Sequence, residues 1–312
     1  MTRVAAVDCG TNSVRLLVAD VEGATKTDVH REMRVVRLGQ GVDRAGVLAP
    51  EALERTRVAL VDYAATCLEL GVDAVRMVAP SATRAAANRD VFTGLVRAGL
   101  GVAPEVASGA EEAALSFEGA TRGLDPALGP FLVVDIGGGS TEFVLGSEGV
   151  SAALSVDVGC VRLTERHLAG DPPTAEQVAA VRADVGAAID RVLEVVPADT
   201  ARTAVGLAGS VTTVAALALG LQAYDPEAIH LSRLSAAQVR EVTEQLLAMT
   251  RAERAALPVM HPGRVDVIGA GALVLLAAVE RLGLPEVLVS EADILDGIAW
   301  SVSPSRVGPA SP

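Results

Sequence analysis

Phe131-Leu132-Val133-Val134-Asp135-Ile136-Gly137-Gly138-Gly139-Ser140-Thr141-Glu142 is an apolar run that ends in an acid, passes through three glycines, and reopens on two hydroxyls and a second acid. The pattern reads as two strands joined by a turn too rich in glycine for an ordinary hairpin. Glycines let successive backbone N–H groups approach and cradle a phosphate. Ser140 and Thr141 add hydroxyls, and Asp135 and Glu142 put carboxylates where a cation could sit between protein and phosphate oxygens. The same design opens the chain. Val4-Ala5-Ala6-Val7-Asp8 leads through Cys9-Gly10-Thr11-Asn12-Ser13 into Val14-Arg15-Leu16-Leu17-Val18. Two copies of strand, acid, glycine, hydroxyl, strand predict a duplicated domain with a phosphate-binding site between the halves.

Composition narrows the setting. The chain has 312 residues, enough for two domains. Half the residues are hydrophobic and only 2% aromatic, so the core must be built from small aliphatic side chains. The formal charge of −13 argues against nucleic-acid binding, which needs a basic face. A phosphate polymer would meet an opposing field, so its site needs local arginines and a divalent cation. The three cysteines, Cys9, Cys67 and Cys160, follow neither a disulfide nor a zinc spacing, and a reduced cytoplasm fits them best. The N-terminus goes straight into a strand, with no signal segment. The apolar run Val267 to Val279 is too short to span a bilayer and reads as a buried helix.

Along the chain, strands are predicted at 3–9, 14–21 and 34–38. A helix at 50–70 follows, with Leu53, Leu60, Val61, Ala64 and Leu68 on one face. Strand 75–79, helix 88–98 and strand 105–107 come next. A helix then opens at Ser108, with Glu111 completing a capping box. The stretch 123–130 reads as a domain junction. Strands at 131–136, 141–146 and 150–157 repeat the opening, and helices and strands alternate to a last helix at about 291–301. The expected division is 1–124 as domain I, completed by the helix at about 291–302, then 125–290 as domain II and a flexible tail at 303–312. Each domain carries a mixed sheet.

These residues carry a resemblance. Asp8 to Ser13, Ser81-Ala82-Thr83-Arg84, Ser108-Gly109-Ala110-Glu111-Glu112-Ala113 and Asp135 to Glu142 are similar to motifs of the exopolyphosphatase/guanosine pentaphosphate phosphohydrolase family. Arg37 to Gly41, Val158 to Cys160, Gly209 to Thr213 and Gly271 also resemble it, so the likeness covers about residues 3–300. It implies an α/β protein with a duplicated actin-like, sugar-kinase-like (ribonuclease H-like) ATPase fold and a cleft between two domains. The chain looks like the short, two-domain type.

The resemblance also implies roles. Glu112 matches the family's general base, which orients a water behind the terminal phosphorus and takes its proton. On spacing alone Glu112 would be a first-turn carboxylate stabilised by the helix dipole. Asp135 and Glu142, joined by Asp8, match the carboxylates that hold a divalent ion, Mg²⁺ or Mn²⁺. Gly10, Thr11, Asn12 and Ser13 would grip phosphates from one side, and Gly137, Gly138, Gly139, Ser140 and Thr141 from the other. Arg15 and Arg84 would neutralise the transferring phosphoryl group. Arg15 can equally be an exposed strand charge. Arg264 would bind a distal phosphate, or be a surface residue at a helix start. Where many relatives carry Leu-Arg-Glu-Gly, this chain has Ile294-Leu295-Asp296-Gly297, so one expected arginine is missing. Gly269-Ala270-Gly271 lacks the third glycine and the preceding strand of a dinucleotide fold, and no Walker lysine follows either glycine loop.

The leading expectation is an exopolyphosphatase that releases orthophosphate from the end of inorganic polyphosphate and favours short chains. One alternative is removal of the 5′ γ-phosphate of guanosine pentaphosphate, with a guanine pocket near Gly209 to Thr213. Another is a non-catalytic polyphosphate or alarmone sensor; a sugar kinase is a weaker option. A homodimer is expected, without nucleic acid or membrane as partner.

Overall fold

The computed structural model describes residues 1–23, 25–79 and 86–302. It divides into two compact units, Met1–Gly119 with the segment from Ile294 onward, and Ala120–Asp293.

In the first unit, strands β1 (Thr2–Cys9), β2 (Ser13–Glu22), β3 (Thr25–Val35), β4 (Ala74–Ala79) and β5 (Glu105–Val106) form one sheet in the order β3-β2-β1-β4-β5. The β1–β2 and β2–β3 pairs are antiparallel, and β1–β4 and β4–β5 are parallel. Alternate residues of β1 serve opposite faces, as the two-residue period of a strand requires. Ala5, Val7 and Cys9 join a core with Leu60, Tyr63, Phe92 and Val96. These come from helices α2 (Pro50–Glu69) and α3 (Arg89–Leu100), which follow a single turn α1 (Val42–Ala45). Val4 and Ala6 face the other way, onto Leu115, Leu295 and Ile298. Those belong to α4 (Gly109–Thr121) and to the helix Ile294–Ser301 at the chain's end.

The second unit repeats the plan. Strands β6 (Phe131–Ile136), β7 (Thr141–Gly146) and β8 (Val150–Val156) precede α5 (Cys160–His167), α6 (Ala175–Val195), β9 (Thr203–Leu207) and α7 (Ala208–Ala218). The short α8 (Pro226–Ile229), β10 (Arg233–Ser235), α9 (Ala236–Ala248), α10 (Arg251–Ala255), α11 (Ile268–Arg281) and β11 (Glu286–Val289) complete it. The strand order is β10-β11-β9-β6-β7-β8. Read from β8, it is the first sheet again with one strand added, and the same pairs are antiparallel. The duplication is the one that the two hairpins predicted, and the mixed α/β topology is that of the actin-like fold implied by the resemblance. Ile268 to Val279 is buried throughout, so the long apolar run is a core helix. Among the described residues no helix is long and apolar enough to cross a membrane.

Several local expectations move. β3 begins at Thr25, not Arg34, and its polar sequence Thr25 to Val35 is an edge strand that pairs with β2 along its length. Charged residues on both faces hide the period-2 signal there, while protecting the edge from further pairing. Helix α2 buries Ala52, Leu53, Thr56, Ala59, Leu60, Tyr63 and Cys67. The expected face had Leu53 and Leu60 right, but Val61 is exposed and Leu68 is 85% exposed. The buried stripe is one step round the helix, and Tyr63 anchors it by donating its hydroxyl to the Val14 carbonyl (3.0 Å). The final helix, α12 (Ile294–Ser301), starts later than 291.

Candidate active site

The first cradle is the β1–β2 turn. Gly10 N–H donates to the Ser13 carbonyl (2.8 Å). The Thr11 carbonyl accepts from Gly39 N–H (2.9 Å), and the Asn12 carbonyl accepts from Val36 (3.0 Å) and Arg37 (2.8 Å). The loop after β3 therefore turns these carbonyls into the protein. Arg37 sits at φ 50°, the left-handed region that costs a side-chain-bearing residue energy. Among the described residues, the N–H groups of Thr11 and Asn12 have no acceptor. Thr11, Asn12 and Ser13 are half-buried.

The second cradle, between β6 and β7, has the same wiring. Gly137 N–H donates to the Ser140 carbonyl (3.0 Å). The Gly137 carbonyl accepts from Cys160 N–H (3.0 Å), and that of Gly138 from Val161 (2.9 Å) and Arg162 (3.1 Å). The orphan N–H groups at the start of α5 are thus answered by the glycine loop itself. Gly159 makes this possible: a methyl group there would lie 2.4 Å from the Gly138 carbonyl oxygen. The N–H groups of Gly138, Gly139 and Ser140 have no acceptor among the described residues, although Gly139 is buried. Buried donors without a partner are costly, and a phosphate oxygen is the natural acceptor. Thr141 differs from its expected role as a phosphate grip. It is fully buried and its hydroxyl donates to the Val158 carbonyl (2.5 Å), so it braces the loop from inside.

The acids are placed by strand register. Asp8 lies opposite Arg15 on the β1–β2 ladder, and Asp135 lies opposite Glu142 on β6–β7. In the first hairpin the pair is an ion pair, with Arg15 Nη2 at 2.6 Å and Nε at 3.1 Å from Asp8 Oδ2. Asp8 is 7% exposed and its charge is already met by Arg15. In the second hairpin two acids face each other, an arrangement that repels across a ladder unless a cation intervenes. Glu142 is 8% exposed and accepts from the Ser155 hydroxyl (2.7 Å) on β8. Among the described residues no group of three or more His, Cys, Asp or Glu side chains is placed to share a metal. Two carboxylates with substrate phosphates nevertheless suit Mg²⁺ or Mn²⁺, hard ions that phosphate enzymes hold in that way.

Helix α4 presents Glu112. Its start is fixed by the capping box: Glu111 N–H donates to the Ser108 hydroxyl (3.2 Å) and Ser108 N–H to Glu111 Oε2 (3.1 Å). Glu111 is exposed and committed to the cap, whereas Glu112, next in the same first turn, is half-buried. Arg84 lies outside the described residues.

Arg264 is drawn into the start of α7. Its Nη1 donates to the Thr213 hydroxyl (3.0 Å), and its guanidinium lies over the Tyr224 ring, 5.9 Å from the centroid. The Tyr224 hydroxyl donates to Thr212 (2.7 Å) or Glu291 (2.6 Å). Burial, reinforced by Glu291, pushes that phenol up to about 12. A methyl group at Gly209 would lie 2.4 Å from the Arg264 guanidinium carbon, so only glycine lets the arginine settle there. The sequence reading missed Tyr224 and Glu291, while Gly159 lay inside the Val158 to Cys160 motif without a stated role. Only the scarcity of aromatics pointed at Tyr224, and no local signal marks Glu291. Leu295, at the position where the resemblance implied an arginine, is 1% exposed in the first unit's core.

The family model of the Ppx/GppA phosphatases matches residues 17–305. The chain belongs to the Ppx/GppA phosphatase family. This Ppx/GppA chain is 54% identical to Exopolyphosphatase 2 of Mycobacterium tuberculosis over 97% of its own length and 99% of that protein. It is 31% identical to a guanosine-5′-triphosphate,3′-diphosphate pyrophosphatase of Aeromonas salmonicida, over 96% of this chain but 59% of that longer one. A crystal structure described as an exopolyphosphatase-like protein superposes with a TM-score of 0.93 at 43% identity, covering 96% of this chain and 98% of the other. As a member of this family the protein is a hydrolase of the phosphatase kind.

Proposed function

We propose that this protein is an exopolyphosphatase that removes the terminal phosphate of inorganic polyphosphate, with Glu112 as general base. The observation that carries the reading is the second cradle, where three successive N–H groups have no acceptor among the described residues, beside the facing acids Asp135 and Glu142. The likeness to Exopolyphosphatase 2 supports polyphosphate as substrate. Gly138, Gly139 and Ser140 would bind and orient phosphate oxygens, and so would Thr11, Asn12 and Ser13. Arg15 holds Asp8 and keeps that turn in shape, and Arg84 neutralises developing charge. Arg264 contacts a distal phosphate. Asp135 and Glu142 would hold Mg²⁺ or Mn²⁺, which supplies charge neutralisation of the phosphates when bound. The Glu112 carboxylate orients a water behind the terminal phosphorus and takes its proton. The new P–O bond forms as the bridging P–O bond breaks, and orthophosphate and the shortened chain leave.

The net charge of −13 favours short chains, because a long polyanion meets an opposing field beyond the cradles. The three free cysteines are all buried, which suits a reducing cytoplasm, and we place the enzyme there as a homodimer. The likeness to the Aeromonas pyrophosphatase keeps one second reading, removal of the 5′ γ-phosphate of guanosine pentaphosphate.

The test is phosphate release from short polyphosphate, long polyphosphate, guanosine pentaphosphate and ATP, with and without Mg²⁺, for the wild type and Glu112→Gln. Short polyphosphate should turn over fastest and need the ion. Glu112→Gln should bind polyphosphate and lose about 100-fold or more of the rate, the usual worth of a positioned base. Full activity in that variant would sink the base assignment, and preferential release from guanosine pentaphosphate would transfer the reading to the nucleotide.

A further inference from the structure

We infer that Gly297 and Asp296 of the C-terminal helix are positioning residues for Glu112, an inference that rests on the assignment of Glu112 as base. Glu112 and Leu115 are three residues apart on α4 and share one face of it. A methyl group added at Gly297 would lie 2.0 Å from the Leu115 carbonyl oxygen, 2.7 Å from its carbonyl carbon and 3.0 Å from its Cα. Helix α12 therefore touches the backbone of α4 one turn from Glu112, at a spot where only glycine fits. Backbone cannot swing aside as a side chain can, so a larger residue must move one helix or the other.

Helix α12 is held too firmly to be the one that yields. Leu295, Ile298 and Ala299 are buried against Val4, Ala6 and Leu17 of β1 and β2. Asp296, 2% exposed, is gripped by two cations of the edge strand β3, Lys26 Nζ at 2.9 Å and Arg31 Nη2 at 2.8 Å. A buried carboxylate with two charged partners is a costly group to leave unpaired, so it pins the helix in one place. The strand pair packed against α12 also carries the first phosphate turn, Gly10 to Ser13. Sheet, α12 and α4 thus form one stack that sets the reach of the Glu112 carboxylate relative to that turn. The short motif Asp296-Gly297 acts here by geometry, through charge on one residue and the absence of a side chain on the next.

The experiment is steady-state phosphate release from short polyphosphate with Mg²⁺ by full-length Gly297→Ala, Asp296→Asn, Glu112→Gln and the double variant Gly297→Ala/Glu112→Gln, with thermal unfolding alongside. Displacing a base by an ångström costs on the order of 100-fold, so Gly297→Ala should lose roughly 10- to 100-fold in kcat. Its KM should stay within about three-fold, because the groups that bind phosphate are untouched. The double variant should be no slower than Glu112→Gln alone, since both changes remove the same contribution. Asp296→Asn should show the same kcat-selective pattern with a smaller loss, and it decides the matter if Gly297→Ala does not fold. Wild-type kcat in a folded Gly297→Ala or Asp296→Asn, a loss confined to KM, or losses that multiply in the double variant would each overturn the positioning role. A fully active Glu112→Gln overturns the base assignment and this inference together. An inactive Glu112→Gln beside a fully active Gly297→Ala overturns the positioning role alone.

Discussion

Arg15 and Glu142 hold the same place in two copies of one hairpin, and their charges are opposite. In the first copy the arginine neutralises Asp8, and the pair is complete without a ligand. In the second, Glu142 faces Asp135, and the ladder itself opposes the arrangement. One substitution separates an ion pair from a pair of facing acids, which we propose holds the divalent ion. We expect Glu142→Gln to raise the Mg²⁺ concentration for half-maximal phosphate release by about ten-fold, the scale on which changes around a metal act. Without Mg²⁺ the variant should be as stable as the wild type or up to ~1 kcal/mol more so, because a like-charge pair has gone. A Mg²⁺ titration of activity, with melting curves at zero Mg²⁺, checks both. An unchanged Mg²⁺ requirement would remove Glu142 from the ion's ligands. Asp135, Glu142, Asp8 and Arg15 were all legible as candidates from their motifs. That Asp8 is already paired was not, because the pairing depends on strand register rather than on any property of Asp8.

The glycine loop and helix α5 work as one device. The loop's carbonyls satisfy the helix N-terminus, which leaves its N–H groups turned elsewhere, and Gly159 is the point of closest approach. Gly159→Ala would place a methyl group within 2.6 Å of three backbone atoms of Gly138 and Gly139. We expect it to cost about 1–3 kcal/mol of stability, as overpacking does. Phosphate release should fall more than ten-fold, since the cradle is displaced with it. Thermal unfolding and activity assays measure the two losses, and retained activity at wild-type stability would refute the coupling. Element by element, the strongest signals were the most reliable. The strands around both glycine turns and the capped helix at Ser108 stand close to where local chemistry put them. The start of β3 was illegible because an edge strand facing water need not alternate in polarity. The buried stripe of α2 was misplaced because its anchor, Tyr63, bonds to a carbonyl forty-nine residues away, and hydrophobicity alone does not say which of two neighbouring stripes faces the sheet.

Across both units, the buried thiols and the Tyr63 phenol are groups that prefer to stay neutral. Burial pushes the thiols of Cys67 and Cys160 up to about 11, and those of Cys9 and the Tyr63 phenol higher still. A raised folded-state value means that the unfolded chain loses its protons first. The stability these groups contribute is complete below about pH 9 and is lost as pH rises through the folded values. We therefore expect the unfolding midpoint to be flat from pH 7 to about 8.5 and to fall between pH 9 and 11, with the thiols unreactive towards alkylating reagents in the folded protein below pH 9. Melting curves across that range and thiol labelling before and after denaturation test it. Rapid labelling of the native protein at pH 7 would contradict the burial.

The amino-acid sequence alone determined the two strand–turn–strand hairpins, their duplication and the family to which they point. Turn chemistry is local: glycines, hydroxyls and acids at fixed offsets do the same thing wherever the chain goes. The tertiary structure alone decided which of those groups are already occupied. It set Arg15 on Asp8, turned Thr141 inward, folded Leu295 into a core and laid Gly297 against the backbone one turn from Glu112. Each of those outcomes depends on burial and on a partner brought by another segment of the fold, from seven residues away to more than a hundred and eighty, and no pattern within the segment itself encodes the partner.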